Sequence, residues 1–228
     1  MTKSHPAQVF IVDDHPVLIA GLTSLLEKTD DLVVLGSAAS AEALPDQFDP
    51  QPPDIFILDI HLKNSDGFEA LKTIQQHYSG VPTLVFSMHD EAFYAERALQ
   101  SGAKGYLMKT ESPSLILKAI RKVLKGEYYV SSRLQSLLFA QLDSSSSAPP
   151  LMNPIRKLTN RELQVIQLIG SGKNNREIAA IMNIRLKTVE AHRFRIKEKL
   201  NLKHSTELIQ FAVHWVQREG VSQDNATA

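Results

Sequence analysis

The sequence predicts an α/β domain built on a doubly wound parallel sheet of five strands, followed by an all-α domain of four helices. Three observations carry this. Short apolar runs alternate with amphipathic segments as far as about residue 125, a Ser- and Pro-rich stretch interrupts the chain at 143–150, and beyond it helical spacing continues without a strand. With 228 residues and 43% hydrophobic composition, the chain can fill two modest cores.

The clearest strand is Ile55-Phe56-Ile57-Leu58, which lies between Pro52-Pro53 and Asp66-Gly67 and runs into Asp59. Four large apolar residues in succession leave no polar face, so this strand is buried on both sides, as in a parallel sheet. Residues 9–12, 32–35, 83–86 and 105–108 repeat the pattern. Helical spacing covers about 15–28, 40–48, 66–78, 91–101 and 113–125, with Val17, Ile19, Leu22, Leu25 and Leu26 marking the first of these. Pro45 interrupts the second and makes it the weakest.

Residues 133–142 read as a further helix that extends the first domain up to the linker. In the linker, Ser144 to Ser147 and Pro149-Pro150 cannot bury apolar area. The domains are therefore expected at 1–127, with a helical extension and linker over 128–154, a second domain over 155–220 and a flexible tail over 221–228. In the second domain Thr159-Asn160-Arg161-Glu162 forms a capping box ahead of Leu163, Ile166 and Ile169, and Gly170 with Gly172 ends that helix. Asn174-Asn175-Arg176-Glu177 repeats the cap before the next helix. A third spans about 186–200, and a fourth runs from Ser205 to about Gln217.

Composition narrows the function. No apolar run approaches the roughly 20 residues of a membrane span, and the first residues lack the layout of a signal peptide, so a cytoplasmic protein without a membrane partner is expected. There are no cysteines, which excludes disulfides and thiolate metal sites. The net charge of zero conceals an asymmetry: residues 1–143 carry 12 Lys and Arg against 18 Asp and Glu, and 144–228 carry 13 against 7. A polyanion partner is therefore expected for the second domain alone.

In a doubly wound sheet, functional groups gather outside the carboxyl ends of the strands. Asp13 and Asp14 follow the first strand, Asp59 the third, Ser87 the fourth and Lys109 the fifth. Singly these have ordinary explanations: an Asp caps a helix, a Ser sits in a turn, a Lys is solvated. Jointly they make a phosphoryl site. Carboxylates without His or Cys partners suit Mg²⁺, Lys109 pairs with a phosphoryl oxygen, Ser87 donates a hydrogen bond, and Asp59 is the nucleophile.

Asp13-Asp14, Asp59, Ser87 and Lys109, with Tyr106 three residues before the lysine, resemble the flavodoxin-like receiver domain of bacterial two-component response regulators over about residues 7–125. The resemblance implies that a sensor histidine kinase phosphorylates Asp59. It implies that Asp14, Asp59 and the His61 backbone carbonyl bind Mg²⁺, that Asp13 acts through water, and that Ser87 and Tyr106 form a switch pair. Many receivers place Pro after the lysine, whereas Thr110 stands here. His61 and His89, each two residues beyond a site residue, are expected to tune phosphate lifetime.

The segments 174–182 and 186–200, joined by Asn183-Ile184-Arg185, have helix-turn-helix spacing. On a 3.6-residue wheel Val189, Ile196 and Leu200 share an inward face, flanked by His192 and Arg193. Lys187, Ala191, Phe194, Arg195 and Glu198 share the outward one. Leu158 to Glu162, Gly172 to Ala179, Lys187 to Arg193 and Lys199-Leu200 resemble the LuxR-type domain of the NarL/FixJ subfamily over about 155–218. A Ser usually begins the recognition helix where Arg185 stands, so either Asn183 or a neighbour substitutes as cap or that end of the helix frays.

Together these readings describe a transcription regulator, not an enzyme beyond its own phosphoryl transfer and slow autodephosphorylation. It binds double-stranded DNA, as a homodimer on phosphorylation or on DNA. The expected DNA contacts are Lys173, Asn175, Lys187, Thr188, Glu190, Ala191, Arg193, Phe194, Arg195 and Lys197. Phe194 itself reads as a thymine-methyl contact, a dimer patch or a partly buried ring, the last being the ordinary fate of such a residue. Two rivals stand: an aspartyl-phosphate phosphatase, which wants a second carboxylate where His61 lies, and a scaffold whose helical domain binds protein.

Overall fold

A computed structural model describes residues 5–40, 43–44, 48, 51–62, 67–132, 134–136 and 154–224. The chain divides into two compact units, Met1–Leu142 and Asp143–Ala228.

The first unit alternates strand and helix. Its elements are β1 (Ala7–Val12), α1 (Pro16–Leu26), β2 (Leu32–Ala38), β3 (Ile55–Leu58), α2 (Gly67–His77), β4 (Thr83–Ser87), α3 (Glu91–Gln100), β5 (Gly105–Met108) and α4 (Pro113–Leu124). The strands form one sheet in the order β2-β1-β3-β4-β5, and every pairing is parallel. The order reverses at β1, which places a crevice at the carboxyl ends of β1 and β3. The expected helix over 40–48 lies mostly outside the described residues, as do most of 133–142 and all of 143–150. Ser132 and the stretch 134–136 are helical.

Alternation along the strands makes two packed faces. Val9, Ile11, Ile55, Ile57, Leu84 and Phe86 point to one side, where Leu22 and Leu26 of α1 and Ile116, Ala119, Ile120 and Val123 of α4 cover them. Phe10 and Phe56 point to the other side. Their rings meet edge to face with centroids 5.9 Å apart, and Phe56 packs on Tyr78 just beyond α2 at 5.4 Å. Gly67 is required where α2 begins: a Cβ there would stand 2.2 Å from the Ile60 Cα. That close approach holds the start of α2 against the segment that follows Asp59.

Beyond α4 the chain returns to the open edge of the sheet. Tyr129 N donates to the Lys104 carbonyl at 3.0 Å, and Tyr106 N donates to the Tyr129 carbonyl at 2.9 Å. This bridge gives part of the β5 edge a partner and leaves less of it for unwanted pairing.

The second unit consists of a 3₁₀ turn (Pro154–Lys157), α5 (Asn160–Gly170), α6 (Asn175–Ile181), α7 (Leu186–Leu200) and α8 (Ser205–Asp224). Both expected capping boxes form, Thr159 with Glu162 and Asn174 with Glu177. α5, α6 and α7 all close with one motif. Gly172, Asn183 and Asn201 take φ of 79°, 51° and 55°, and the residue after each donates back to a helix carbonyl, to Leu168, Ala179 and Lys197 respectively. Gly170 lets α8 approach α5, because a Cβ there would meet the Ala212 carbonyl oxygen at 2.4 Å. Leu163, Ile166, Ile169, Ile178, Val189, Ile196, Leu208 and Ala212 are buried between the helices. α8 continues past the expected Gln217 to Asp224.

Of the two outcomes expected at the start of α7, a substitute side-chain cap is not seen among the described residues. Arg185 is the N-cap and makes no side-chain cap hydrogen bond. Asn183 serves instead as the left-handed residue that ends α6. The turn therefore takes the asparagine that a cap would have used.

Candidate functional site

The strand registers bring the sequence's candidates together. Val12 of β1 lies opposite Leu58 of β3, so Asp13 and Asp59, each one residue beyond its strand, stand level. Ser87 ends β4 opposite Met108 of β5, and Lys109 follows. From there the Lys109 ammonium reaches inward and donates to Asp13 Oδ2 at 2.7 Å and to Asp59 Oδ2 at 2.6 Å. All three side chains are almost wholly buried, at 3%, 2% and 2% exposure. Two carboxylates this deep repel one another, and the cation between them offsets that repulsion. Burial nonetheless outweighs Lys109 for Asp59, whose carboxyl is held above the ordinary range.

The remaining lone pairs are directed by neighbours. His61 N donates to Asp59 Oδ1 at 3.0 Å, and His15 N donates to Asp13 Oδ1 at 2.8 Å. The His15 ring also lies 3.0 Å from Asp13 Oδ1 and 3.0 Å from Asp14 Oδ1. Sequence reasoning passed over His15, although an Asp two residues before a backbone N–H is a common side-chain turn. Ligand atoms of Asp13, Asp14, His15 and Asp59 all fall within 4.8 Å of one another. Three carboxylates dominate that set, which fits a hard divalent cation better than a soft one.

Ser87 and Tyr106 are fully buried. The Ser87 hydroxyl accepts from His89 N at 3.2 Å, and the Tyr106 hydroxyl donates to the His89 carbonyl at 2.9 Å. The Tyr106 ring is thus turned inward beside Ser87, and burial pushes its phenol well above the usual range. His89 Nε2 meets His61 Nδ1 at 3.0 Å, with ring centroids 4.7 Å apart. Burial, then the neighbouring His61 and Lys109, lowers His89 to about 3, and burial lowers His61 as well. Both imidazoles are neutral near pH 7.

In the second unit, Val189 and Ile196 of α7 are buried as the wheel requires, and Leu200 is half-buried. Lys187, Thr188, Glu190, Phe194 and Arg195 are exposed, as is Lys173 before α6. Ala191, Arg193, Lys197 and Asn175 are half-buried. Phe194 departs from the preferred expectation of partial burial: it is 61% exposed, because its position on α7 faces away from α5, α6 and α8. A groove of about 660 Å³ beside α7 is lined by Lys173, Arg176 and Arg193 together with Glu190 and Ile209. Sequence reasoning also missed the anchor of α7. Glu162 Oε2, buried, accepts from Thr159 N at 2.7 Å and from Lys199 Nζ at 2.7 Å.

Residues 9–121 match the response regulator receiver domain, and residues 156–212 match the luxR family of bacterial regulatory proteins. The chain is 31% identical over 209 residues to the oxygen regulatory protein NreC of Staphylococcus carnosus strain TM300, across 90% of this chain and 96% of that one. Among solved structures it resembles RcsB from Salmonella enterica serovar Typhimurium bound to promoter rprA in the presence of phosphomimetic BeF3-, with 24% identity over 91% of this chain and 98% of that one and a TM-score of 0.63. A LuxR-family two-component response regulator from Aurantimonas sp. SI85-9A1 is 29% identical, over 61% of this chain and 99% of that one, with a TM-score of 0.56. Sheet, helical unit and matches together define a two-component response regulator with a LuxR-type DNA-binding domain. The chain belongs to the NarL/FixJ family. Among the described residues no helix is long and apolar enough to cross a membrane.

Proposed function

We propose that Asp59 accepts a phosphoryl group from a sensor histidine kinase and that the modified chain binds double-stranded DNA as a homodimer through α7. The observation that carries this reading is the double hydrogen bond of Lys109 to Asp13 and Asp59 at the mouth of the sheet. A carboxylate oxygen held by a cation that can pass to an incoming phosphoryl oxygen is placed to meet a phosphorus centre. An Asp59 oxygen attacks phosphorus, the bond from phosphorus to the kinase imidazole breaks, and the imidazole leaves with its electron pair. Lys109 then pairs with a phosphoryl oxygen and Ser87 donates to another.

Asp14, Asp59 and the His61 carbonyl would hold Mg²⁺, and Asp13 would act through water; the cation supplies positive charge against the phosphoryl oxygens. The new group brings a charge near minus 2 beside Ser87. Ser87 is drawn to it, and the inward seat of the Tyr106 ring, already bonded to the His89 carbonyl, becomes the favoured packing. The phosphatase alternative lacks support, because the second residue after Asp59 is His61 and not the carboxylate that acid-base work there requires.

The basic face of α7 supports DNA as the partner, with Lys173, Asn175, Lys187, Thr188, Glu190, Ala191, Arg193, Phe194, Arg195 and Lys197 in contact with it. DNA as target sets the site of action in the cytoplasm. RcsB, whose solved complex contains promoter DNA and a phosphomimetic, is a precedent for both halves of the reading. The test compares wild type with Asp59→Asn, each with and without beryllofluoride and Mg²⁺, by sedimentation and by recovery of genomic DNA fragments. Self-association and fragment recovery should rise for wild type alone. If beryllofluoride changes neither, the reading fails.

A further inference from the structure

We propose that Phe194 is a base-reading residue that recognises the C5-methyl group of thymine in the major groove. The inference rests on the DNA-binding role assigned to α7 and names the base feature that it reads. Phe194 is 61% exposed, the most exposed of the protein's described phenylalanines, and it stands on the face opposite buried Val189 and Ile196. Ala191, one turn earlier, is half-buried and small, so the ring and the alanine methyl form a continuous apolar strip along the helix.

The charges around the strip settle which part of DNA it meets. Lys187 and Arg195, exposed, and Arg193, half-buried, suit phosphates on either side of a groove. Four residues before and after the ring stand Glu190 and Glu198, both exposed carboxylates, and three after it stands the half-buried Lys197. A phosphate is repelled there, so the strip faces base edges. In the major groove the one apolar feature among those edges is the thymine methyl, which Ala and Phe side chains contact. A second copy of this chain is a poorer occupant, because cations and carboxylates crowd a strip of only two apolar residues.

The experiment first selects a preferred duplex with the full chain trapped by beryllofluoride and Mg²⁺. Each thymine is then replaced by deoxyuridine, which removes the methyl alone, and affinity is measured for wild type, Phe194→Leu and Phe194→Ala. At one or two positions wild type should lose about fourfold, the worth of burying one methyl-sized group. Phe194→Ala should show no loss there, Phe194→Leu an intermediate one, and all three should keep the same slope of log affinity on log salt. Equal sensitivity in wild type and Phe194→Ala, or none at any thymine, overturns the proposal while DNA binding stands. Reduced self-association of Phe194→Ala with its uridine sensitivity retained overturns it in favour of a dimer contact. Failure to select any duplex overturns the DNA-binding reading beneath it.

Discussion

His61 and His89 lie 28 residues apart in the chain, yet their rings meet with Nδ1 and Nε2 separated by 3.0 Å. One follows β3, which leads to the candidate phosphoacceptor, and the other follows β4, which leads to Ser87. The pair therefore ties together the two loops that border Asp59, and both residues are half-buried. In the proposed reading this border screens an acyl phosphate on Asp59 from hydrolytic water. Removing either ring breaks the same hydrogen bond, worth about 1 kcal/mol, so His61→Ala, His89→Ala and the double variant should each shorten phosphate lifetime by about fivefold. Loss of phosphate in the presence of Mg²⁺ measures it. An unchanged rate in the double variant removes the idea.

Lys109 neutralises one of the three carboxylates' charges, which leaves a cluster that a divalent cation stabilises further. Mg²⁺ at about one hundred times its dissociation constant should stabilise the first unit by about 2.7 kcal/mol, and a chelator should reverse this. Asp14→Asn should abolish most of the effect while leaving the Lys109 bridge intact. Urea unfolding followed by far-ultraviolet circular dichroism, with and without Mg²⁺, checks both. A midpoint that ignores Mg²⁺ in wild type contradicts the assignment.

Ser131, past the end of α4, donates a hydrogen bond to Glu91, the buried first residue of α3. Together with the pairing of Tyr129 to Lys104 and Tyr106, this fastens the returning chain to β5 and to α3. Ser131→Ala removes one partner of a buried carboxylate and should cost about 1–2 kcal/mol. Tyr129→Ala, which empties a buried ring position, should cost about 3 kcal/mol. Hydrogen exchange at the Tyr106 amide gives a local readout, since that amide bonds to the Tyr129 carbonyl. Its protection should fall in both variants, and an unaltered rate refutes the fastening.

How much of this was legible follows from what each residue must do. β3 and β5 match their expected limits because they are uninterrupted apolar runs, buried throughout β3 and up to Leu107 in β5. β2 runs three residues beyond the expected Leu35 because it is an edge strand: Gly36 and Ser37 need no apolar partner on the open side, and burial alternates along it. Asp13, Asp59, Ser87 and Lys109 were legible because strand ends are countable in sequence and a parallel sheet aligns them. His15, the His61–His89 bond and the Ser131–Glu91 bond were not. They join polar residues of loops or helix ends, where no periodicity announces a partner. Phe194 was visible as an anomaly, but only its exposure separates reading outward from packing inward.

The chemistry of Glu162 separates a cap from an anchor. Burial raises its carboxyl, but hydrogen bonds from Lys199 and from Thr159 outweigh burial, and the group titrates below the ordinary Glu range. A carboxyl whose folded value is depressed contributes stability above its unfolded value, about 4.3, and loses it as pH falls through the folded one. The contribution of Glu162 to the second unit is therefore intact at neutral pH and fades in acid. Glu162→Gln keeps the capping box, since Gln serves equally at that position, and removes only the charge that holds Lys199. It should cost about 1–3 kcal/mol at pH 7, the range of a charge-assisted hydrogen bond, and remove this part of the acid limb. Lys199→Met should cost a similar amount, and the double variant less than the sum. Trp215, the chain's one tryptophan, is buried in this unit, so its fluorescence follows the unit's unfolding in the intact protein. If Glu162→Gln unfolds with the same acid dependence as wild type, the ion pair does not anchor α7, and the helix is held by its apolar face, Val189, Ile196 and Leu200.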